Sequence, residues 1–393
     1  MLLVSTPSGQ ANYRNEFSGL KLGSKTSSRL HPAVLHLGQQ YASGTLRGAN
    51  KRCRAMLQTF KLLLEEYVAP QLSTSQRKDY RHDLEQSILK PAFTYWTEHC
   101  RTHSTSMGNA FTFLKLAVAN LDRDMEVEEA KTVLIEGIDA YIQERIEVAN
   151  QAICKHASTK IVDGDVILTY ANSEVIGKLL QHAMGDEDKT QEESFLFGKK
   201  KKKSFRVIVV DSRPLLEGRD LLEKLLDAGI DCTYIFLNSL SYVMTNEVTK
   251  VFLGAAALMS DGSIMSRVGT ASIANVAKAN NIPVLFCCET YKINNRVQLE
   301  SITVNELGDP DDLETNRCAI SNSGEGLDAA NKSSLLKDWR DTPNLTLVSL
   351  LYDLTPSEFV SGIITEMGIL PPTSVAVLLR EMNPQESNES FQN

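Results

Sequence analysis

The chain has 393 residues, with 41 Lys or Arg against 49 Asp or Glu and a formal net charge of −8. That balance excludes a chain drawn as a whole to nucleic acid, while 42% hydrophobic and 23% charged residues describe an ordinary globular protein. The length exceeds one small core and predicts two domains. No run of about 18 apolar residues is present, so no membrane partner is expected.

Residues 1–29 are rich in Gly, Ser and Thr and read as a loose tail. Its opening, MLLVSTPSGQANYRNE, is too short in apolar residues for a signal peptide, and a cytosolic location is expected. From Leu30 apolar residues recur at helical spacing: Val34, Leu35, Leu37 and Tyr41, then Cys53, Met56, Leu57, Phe60, Leu63 and Leu64. Pro70 is expected to end the second run. Further helices are predicted over about 76–100, 106–120 and 126–158, with no strand before residue 160. Residues 30–159 thus form an all-helical domain.

The pattern then switches to short β-branched runs. These are Asp165–Tyr170 (DVILTY), Arg206–Asp211 (RVIVVD), Cys232–Leu237, Val251–Leu258, Pro283–Cys288 and Leu345–Asp353. Helical stretches such as Leu215–Ala228 and Ser272–Asn280 separate them. The alternation predicts an α/β fold, with a Rossmann-like parallel-sheet domain over 160–385 and a short tail over 386–393. Residues 184–205 carry an acidic block followed by Lys199–Lys203 and read as a charged loop insertion; 314–334 reads as another loop. The lysine run alone supports a nucleic-acid reading, against which no direct nucleic-acid partner is expected. Seven cysteines are scattered without a CxxC pair, which predicts reduced, structural thiols and no metal.

In open parallel sheets ligands bind outside the carboxyl ends of the strands. The loops there hold Arg213, Arg219 and Arg267, and Gly269-Thr270 precedes a predicted helix. Guanidinium groups and a helix start together suit a phosphorylated small molecule. The same arginines suit pairing with Asp211 or Glu217, and both readings stay open. A nucleophile or general acid/base is what these loops lack. All seven histidines lie outside them, and no Walker A, GxGxxG, HExxH or GxSxG motif occurs. Neither catalysis nor a cofactor is expected.

The segments VVDSRPLLEGRDL, DGSIMSRVGTASIA and IPVLFCCETYK resemble the family shared by initiation factor 2B regulatory subunits and sugar-phosphate isomerases. The stretches HPAVLHLGQQYASG, DGDVILTYANS, NELGDPDDL and LLYDLTP extend the likeness across residues 30–383, on the regulatory side of the family. The isomerases, which act on methylthioribose phosphate and ribose bisphosphate, are known for a cysteine and an aspartate that fall at Ala171 and Ala256 of this sequence. The resemblance therefore implies a vestigial phosphate pocket at Arg213, Arg219, Arg267, Gly269 and Thr270. It also implies a decameric exchange factor for initiation factor 2. There alpha, beta and delta subunits assemble through their α/β domains, delta pairs with beta, and two gamma–epsilon pairs flank the core. The regulatory core senses phosphorylation of the alpha subunit of initiation factor 2. An active sugar-phosphate isomerase is the alternative, with Cys287 or Cys288 as the nucleophile.

Two surfaces follow. Glu144, Val148 and Ala152, four apart, share a stripe of the helix over about 126–158 that suits docking of the phosphorylated alpha subunit. Val348, Leu350, Leu351 and Tyr352, with the apolar stretch Phe359–Leu370, suit the face on which subunits assemble.

Overall fold

The structure, a computed structural model, describes residues 30–68, 80–122, 124–185, 203–302, 304–314, 336 and 338–382. Both expected tails, most of the charged insertion and most of the 314–334 stretch lie outside these residues, as does Pro70.

The first half is helical: α1 (Pro32–Ala42), α2 (Ala49–Glu65), α3, α4 (Thr105–Ala119) and α5. α3 is one continuous run in which Tyr80–Asp83 and Lys90–Thr94 are α-helical, while Leu84–Leu89 and Tyr95–Cys100 make π turns. α5 is likewise continuous, from Val127–Tyr141 through a π stretch at Ile142–Val148 to Ala149–Ser158. Local chemistry sets the helix starts. Pro32 opens α1 with His31 Nδ1 accepting from the Ala33 amide at 3.2 Å, and Ser104 Oγ caps α4. Aromatic packing closes the core. Trp96 is fully buried against Phe60, with ring centroids 5.2 Å apart, and its indole N–H donates to the Val34 carbonyl at 2.9 Å.

The second half alternates strands and helices. In order come β1 (Val166–Tyr170), α6 (Glu174–Met184), β2 (Arg206–Asp211), α7 (Gly218–Asp227), β3 (Asp231–Phe236), α8 (Leu240–Asn246), β4 (Lys250–Gly254), β5 (Ala257–Met259), β6 (Ile264–Arg267) and α9 (Thr270–Ala279). β7 (Val284–Cys287), β8 (Ile293–Asn294), α10 (Asp311–Glu314), β9 (Tyr352–Thr355), β10 (Gly362–Thr365), β11 (Gly368–Leu370) and α11 (Val375–Met382) complete it. Seven strands form one sheet in the order β11-β10-β7-β4-β1-β2-β3, parallel except for β11. Ile167, Val207 and Val209 point to a core shared with α6, α7 and the end of α5; Leu168, Ile208 and Val210 point to a core under α8, α9 and α11. Both faces are covered, which explains why the strands read as continuous apolar runs. β8-β5-β6-β9 form a second, smaller sheet beside the carboxyl ends of the first.

Three expectations change. The run Val251–Leu258 is two strands in two sheets, β4 and β5, because Gly254, Ala255 and Ala256 lack the bulk to hold one straight strand. A Cβ on Gly254 would lie 2.1 Å from Ser173 Oγ, so the chain passes where only glycine fits. Within Leu345–Asp353 only Tyr352 and Asp353 belong to a strand. The residues before them meet the 304–308 segment through an isolated bridge at Leu350. The middle of Phe359–Leu370 serves the chain's own interior, with β10 buried throughout between β7 and β11, while Met367 and Ile369 are exposed. The last lysine of the basic run, Lys203, donates to the carbonyls of Ser158 and Ile161 and so caps the end of α5.

Candidate functional site

The carboxyl ends of β1 and β2 and the end of β6 open on a cleft lined by Ala171, the turn Asp211–Leu215, Glu217, Arg267 and Val268, with Ser349–Leu351 opposite. Its empty volume, open mouth included, is about 400 Å3.

Its polar groups are already matched. Arg267 Nε donates to Glu217 Oε2 at 2.8 Å and its Nη2 to Oε1 at 2.6 Å, a two-pronged ion pair. Burial works against the Arg267 charge, and the Glu217 carboxylate more than offsets it, so the guanidinium is held above its ordinary value. The amides of Gly269 and Ala271 donate to Asp353 Oδ2 at 2.7 and 2.9 Å. This β9 carboxylate occupies the helix start that the sequence offers to a phosphate. Thr270 Oγ1 donates to the Arg267 carbonyl at 2.5 Å instead of facing the cleft. Gly269 has φ +106°, and a Cβ there would meet the Tyr170 hydroxyl at 2.6 Å.

The expected phosphate set is thus divided. Arg213 and Arg267 line the cleft, whereas Arg219, Gly269 and Thr270 do not. The exposed Arg213 guanidinium lies 5.9 Å over the Phe236 ring, and Arg219 bonds the Tyr234 hydroxyl. Of the two carboxylates expected as arginine partners, Glu217 pairs with Arg267, while Asp211 accepts from the Tyr234 hydroxyl at 2.8 Å and the Ser212 amide at 2.9 Å. Ala171 is buried with φ 53°, a left-handed conformation rare outside glycine. The Ala256 amide is used by the small sheet, donating to the Met265 carbonyl at 2.9 Å.

Burial pushes the Asp353 carboxyl up to about 6, with the Ala271 and Gly269 amides pulling the other way. That value lies above the ordinary 3.8. Asp353 therefore favours the fold fully below about pH 4, where it is protonated in both states, and the contribution is lost as pH rises through about 6. Asp353→Asn keeps an oxygen for both amides and gains stability relative to the parent between about pH 4 and pH 7. Urea unfolding across that range checks this, and a constant gap between the two proteins would show that Asp353 does not titrate there.

A second polar centre, missed by sequence reasoning, joins the two halves. Glu289, fully buried, pairs with Lys292 Nζ at 2.6 Å and accepts from Asn50 Nδ2 at 2.6 Å. The Tyr291 hydroxyl donates to Asn50 Oδ1 at 2.7 Å, and Asn109 Nδ2 donates to the carbonyls of Tyr291 and Ile293 at 2.9 Å each. Arg101 pairs with Glu306 at the rim. The signal available was ETYK, a charged tetrapeptide directly after an apolar strand.

On the outer surface, Glu144 and Val148 are exposed and Ala152 is half-buried, along the π stretch of α5 and the turn after it. At the other end, Val348 is 62% exposed, while Leu350, Leu351 and Tyr352 are half-buried and Tyr352 lies 5.4 Å beneath Arg267. Beside them runs an exposed apolar segment that sequence reasoning passed over: Val297, Leu299, Ile302, Val304 and Leu307, with Leu299 at 92%. Gly308 N–H donates to the Ser349 carbonyl at 2.7 Å and Leu351 N–H to the Glu306 carbonyl at 3.0 Å, which brings the two segments together. Their loose, interrupted spacing reads as loop, and only the clustering of Val, Leu and Ile marks them. Among the described residues no cluster of three or more His, Cys, Asp or Glu could hold a metal, and no helix is long and apolar enough to cross a membrane.

A sequence model of the Initiation factor 2 subunit family matches residues 45–372. The chain belongs to that family. Within it, the chain is 42% identical over 373 residues to the translation initiation factor eIF2B subunit delta of Dictyostelium discoideum, covering 94% of this chain and 55% of that protein. The delta subunit of Schizosaccharomyces pombe is also 42% identical, over 90% of this chain and 69% of its own length. The chain thus spans little more than half of the slime-mould relative. The ribose 1,5-bisphosphate isomerase of Thermococcus kodakarensis is 25% identical over 88% of this chain and 94% of the enzyme. Among solved structures, a chain of the tetrameric eIF2B beta2-delta2 complex from C. thermophilum superposes with a TM-score of 0.68 at 31% identity, covering 86% of this chain and 92% of that one. The eIF2B delta of Chaetomium thermophilum gives 0.62 at 29% identity, over 86% and 98%. Family members of the delta type are therefore what this chain is similar to over nearly its whole length, and the isomerases are distant.

Proposed function

We propose that the chain is a non-catalytic, delta-type regulatory subunit of the guanine-nucleotide exchange factor for initiation factor 2. It scaffolds that complex and senses phosphorylation of the alpha subunit of initiation factor 2. The observation that carries the reading is the cleft. Arg267 is neutralised by Glu217 beside Ala171, and the family resemblance puts Ala171 at the position of the isomerases' cysteine and Ala256 at that of their aspartate. Neither alanine transfers a proton or attacks a carbon. The rival isomerase reading needs Cys287 or Cys288, but burial holds both thiols far above their ordinary range, and the thiolate is the nucleophile.

Beta is the expected direct partner, supported by the beta2-delta2 tetramer of the similar structure. Alpha, gamma and epsilon complete a decamer in the cytosol, with Val348, Leu350 and the Val297–Leu307 segment on the assembly face. The exposed apolar cluster supports this, since patches of that kind mark protein contacts. The stripe Glu144, Val148 and Ala152 receives the phosphorylated alpha subunit.

Offered ribose 1,5-bisphosphate or methylthioribose phosphate, the purified chain forms no product. Co-expressed with a beta-type partner it elutes as a mixed complex, and Val348→Asp weakens that association by at least about tenfold by burying a charge. Turnover of either sugar phosphate would overturn the non-catalytic reading. A stable mixed complex with Val348→Asp would move the assembly face elsewhere.

A further inference from the structure

Behind the docking stripe, α5 meets α6 in a seam lined by charged groups. Arg54 of α2 pairs with Glu147 of α5 and lies 3.7 Å from Glu174 of α6; Lys178 of α6 lies 3.4 Å from Glu147 and 3.0 Å from Glu174. Four charges thus alternate in sign around a ring that ties α2 and α5 to the first helix of the sheet part. These side chains are between 23% and 40% exposed, so each link is cheap to break and remake. One turn before Arg54, Asn50 is fastened to the buried Glu289. A firm point and a loose ring on the same helix have the layout of a hinge and its clasp.

The seam itself is unfinished. Asn150, 1% exposed on α5, has neither its Oδ1 nor its Nδ2 bonded to a protein partner, and buried Glu174 Oε2 likewise accepts no hydrogen bond. Buried polar groups left without partners raise the energy of the arrangement that holds them. A small shift of α5 along α6 that supplies partners therefore competes with the present one. A π stretch ends at Val148, two residues before Asn150. Such stretches interrupt the regular helix ladder and are frequent at functional sites.

We propose that the α5–α6 seam is a two-position joint, with Asn150 and Glu147 as its positioning residues, and that docking on the Glu144–Val148–Ala152 stripe acts on the sheet part by shifting it. The input to the joint rests on the docking reading above; the joint does not. Energetic coupling between sites requires such a two-state element, biased at both ends. Glu147 lies between the stripe residues Glu144 and Val148 in sequence and turns inward to the ring. Glu174, three residues beyond Ala171, carries the connection toward the cleft wall.

Variants at two positions test it, each in the full-length chain. Asn150→Leu keeps the branching and heavy-atom count of asparagine, with bulkier methyls, and leaves nothing to satisfy, so it locks the seam. Backbone hydrogen exchange over 149–158 and 174–184 is then slower by at least about fivefold. Faster exchange with a lower melting temperature in both Asn150→Leu and the smaller Asn150→Ala, which cannot overpack the seam, would mean that Asn150 is satisfied, and would overturn the joint. In the rebuilt exchange factor, Glu147→Gln keeps binding of the phosphorylated alpha subunit within about twofold but weakens the inhibition it causes by at least about fivefold. Unchanged inhibition, or inhibition lost only in proportion to binding, would overturn the coupling. Glu144→Lys separates the two readings. If it leaves binding unchanged, the docking stripe is wrong, while the Asn150→Leu result still decides the joint.

Discussion

Glu217→Ala is expected to lower the unfolding free energy by about 3–5 kcal/mol, the range found when one partner of a buried ion pair is removed. Arg267 keeps only 19% of its side chain exposed and Glu217 only 9%, so water replaces little of what the carboxylate supplies. Glu217→Gln keeps an acceptor for the guanidinium and falls between parent and alanine. Arg267→Met on top of Glu217→Ala recovers much of the loss, because the stranded charge is gone. Urea unfolding of the four proteins gives the cycle. A loss below about 1 kcal/mol for Glu217→Ala would place the pair with solvent-screened surface bridges, and the cleft would then be more open than its geometry indicates.

Lys292→Met carries an expected loss of the same order, about 3–5 kcal/mol. It strands a carboxylate in place of a guanidinium. Glu289 is 0% exposed, and with Lys292 gone only Asn50 Nδ2 still donates to its side chain. Glu289→Gln added to Lys292→Met removes the stranded charge and recovers much of the loss. Urea unfolding of the parent and the two variants reads both effects. A loss left unchanged in the double variant would mean that it is one of packing.

What the sequence makes legible is what local pattern controls. β1 and β2 stand within a residue of the runs DVILTY and RVIVVD, because alternating contacts to two buried faces demand apolar residues throughout. The long helices stand out for the same reason, their apolar faces recurring over many turns. Reading fails where the partner is remote. Val251–Leu258 looks like one strand, since nothing local says that β5 leaves to pair with β6 and β8. The cleft shows the same limit. Arg267 and Gly269 have the residue types of a phosphate site, but Glu217 and Asp353, 50 and 84 residues away, already hold them. Retained donors do not reveal from sequence whether they face a ligand or a neighbour.

The Asn50–Glu289 contact also bears on how the chain is made. Its partners are 239 positions apart, and synthesis adds about 5–20 residues per second. Asn50 therefore emerges roughly 12–48 s ahead of the carboxylate it binds. During that interval the helical half can close its own aromatic core while the face destined for Glu289, Tyr291 and Lys292 stays uncovered. The nascent chain thus presents a polar, half-built surface to the cell for a long time on the scale of folding, and it is sealed only when the seventh strand has left the ribosome.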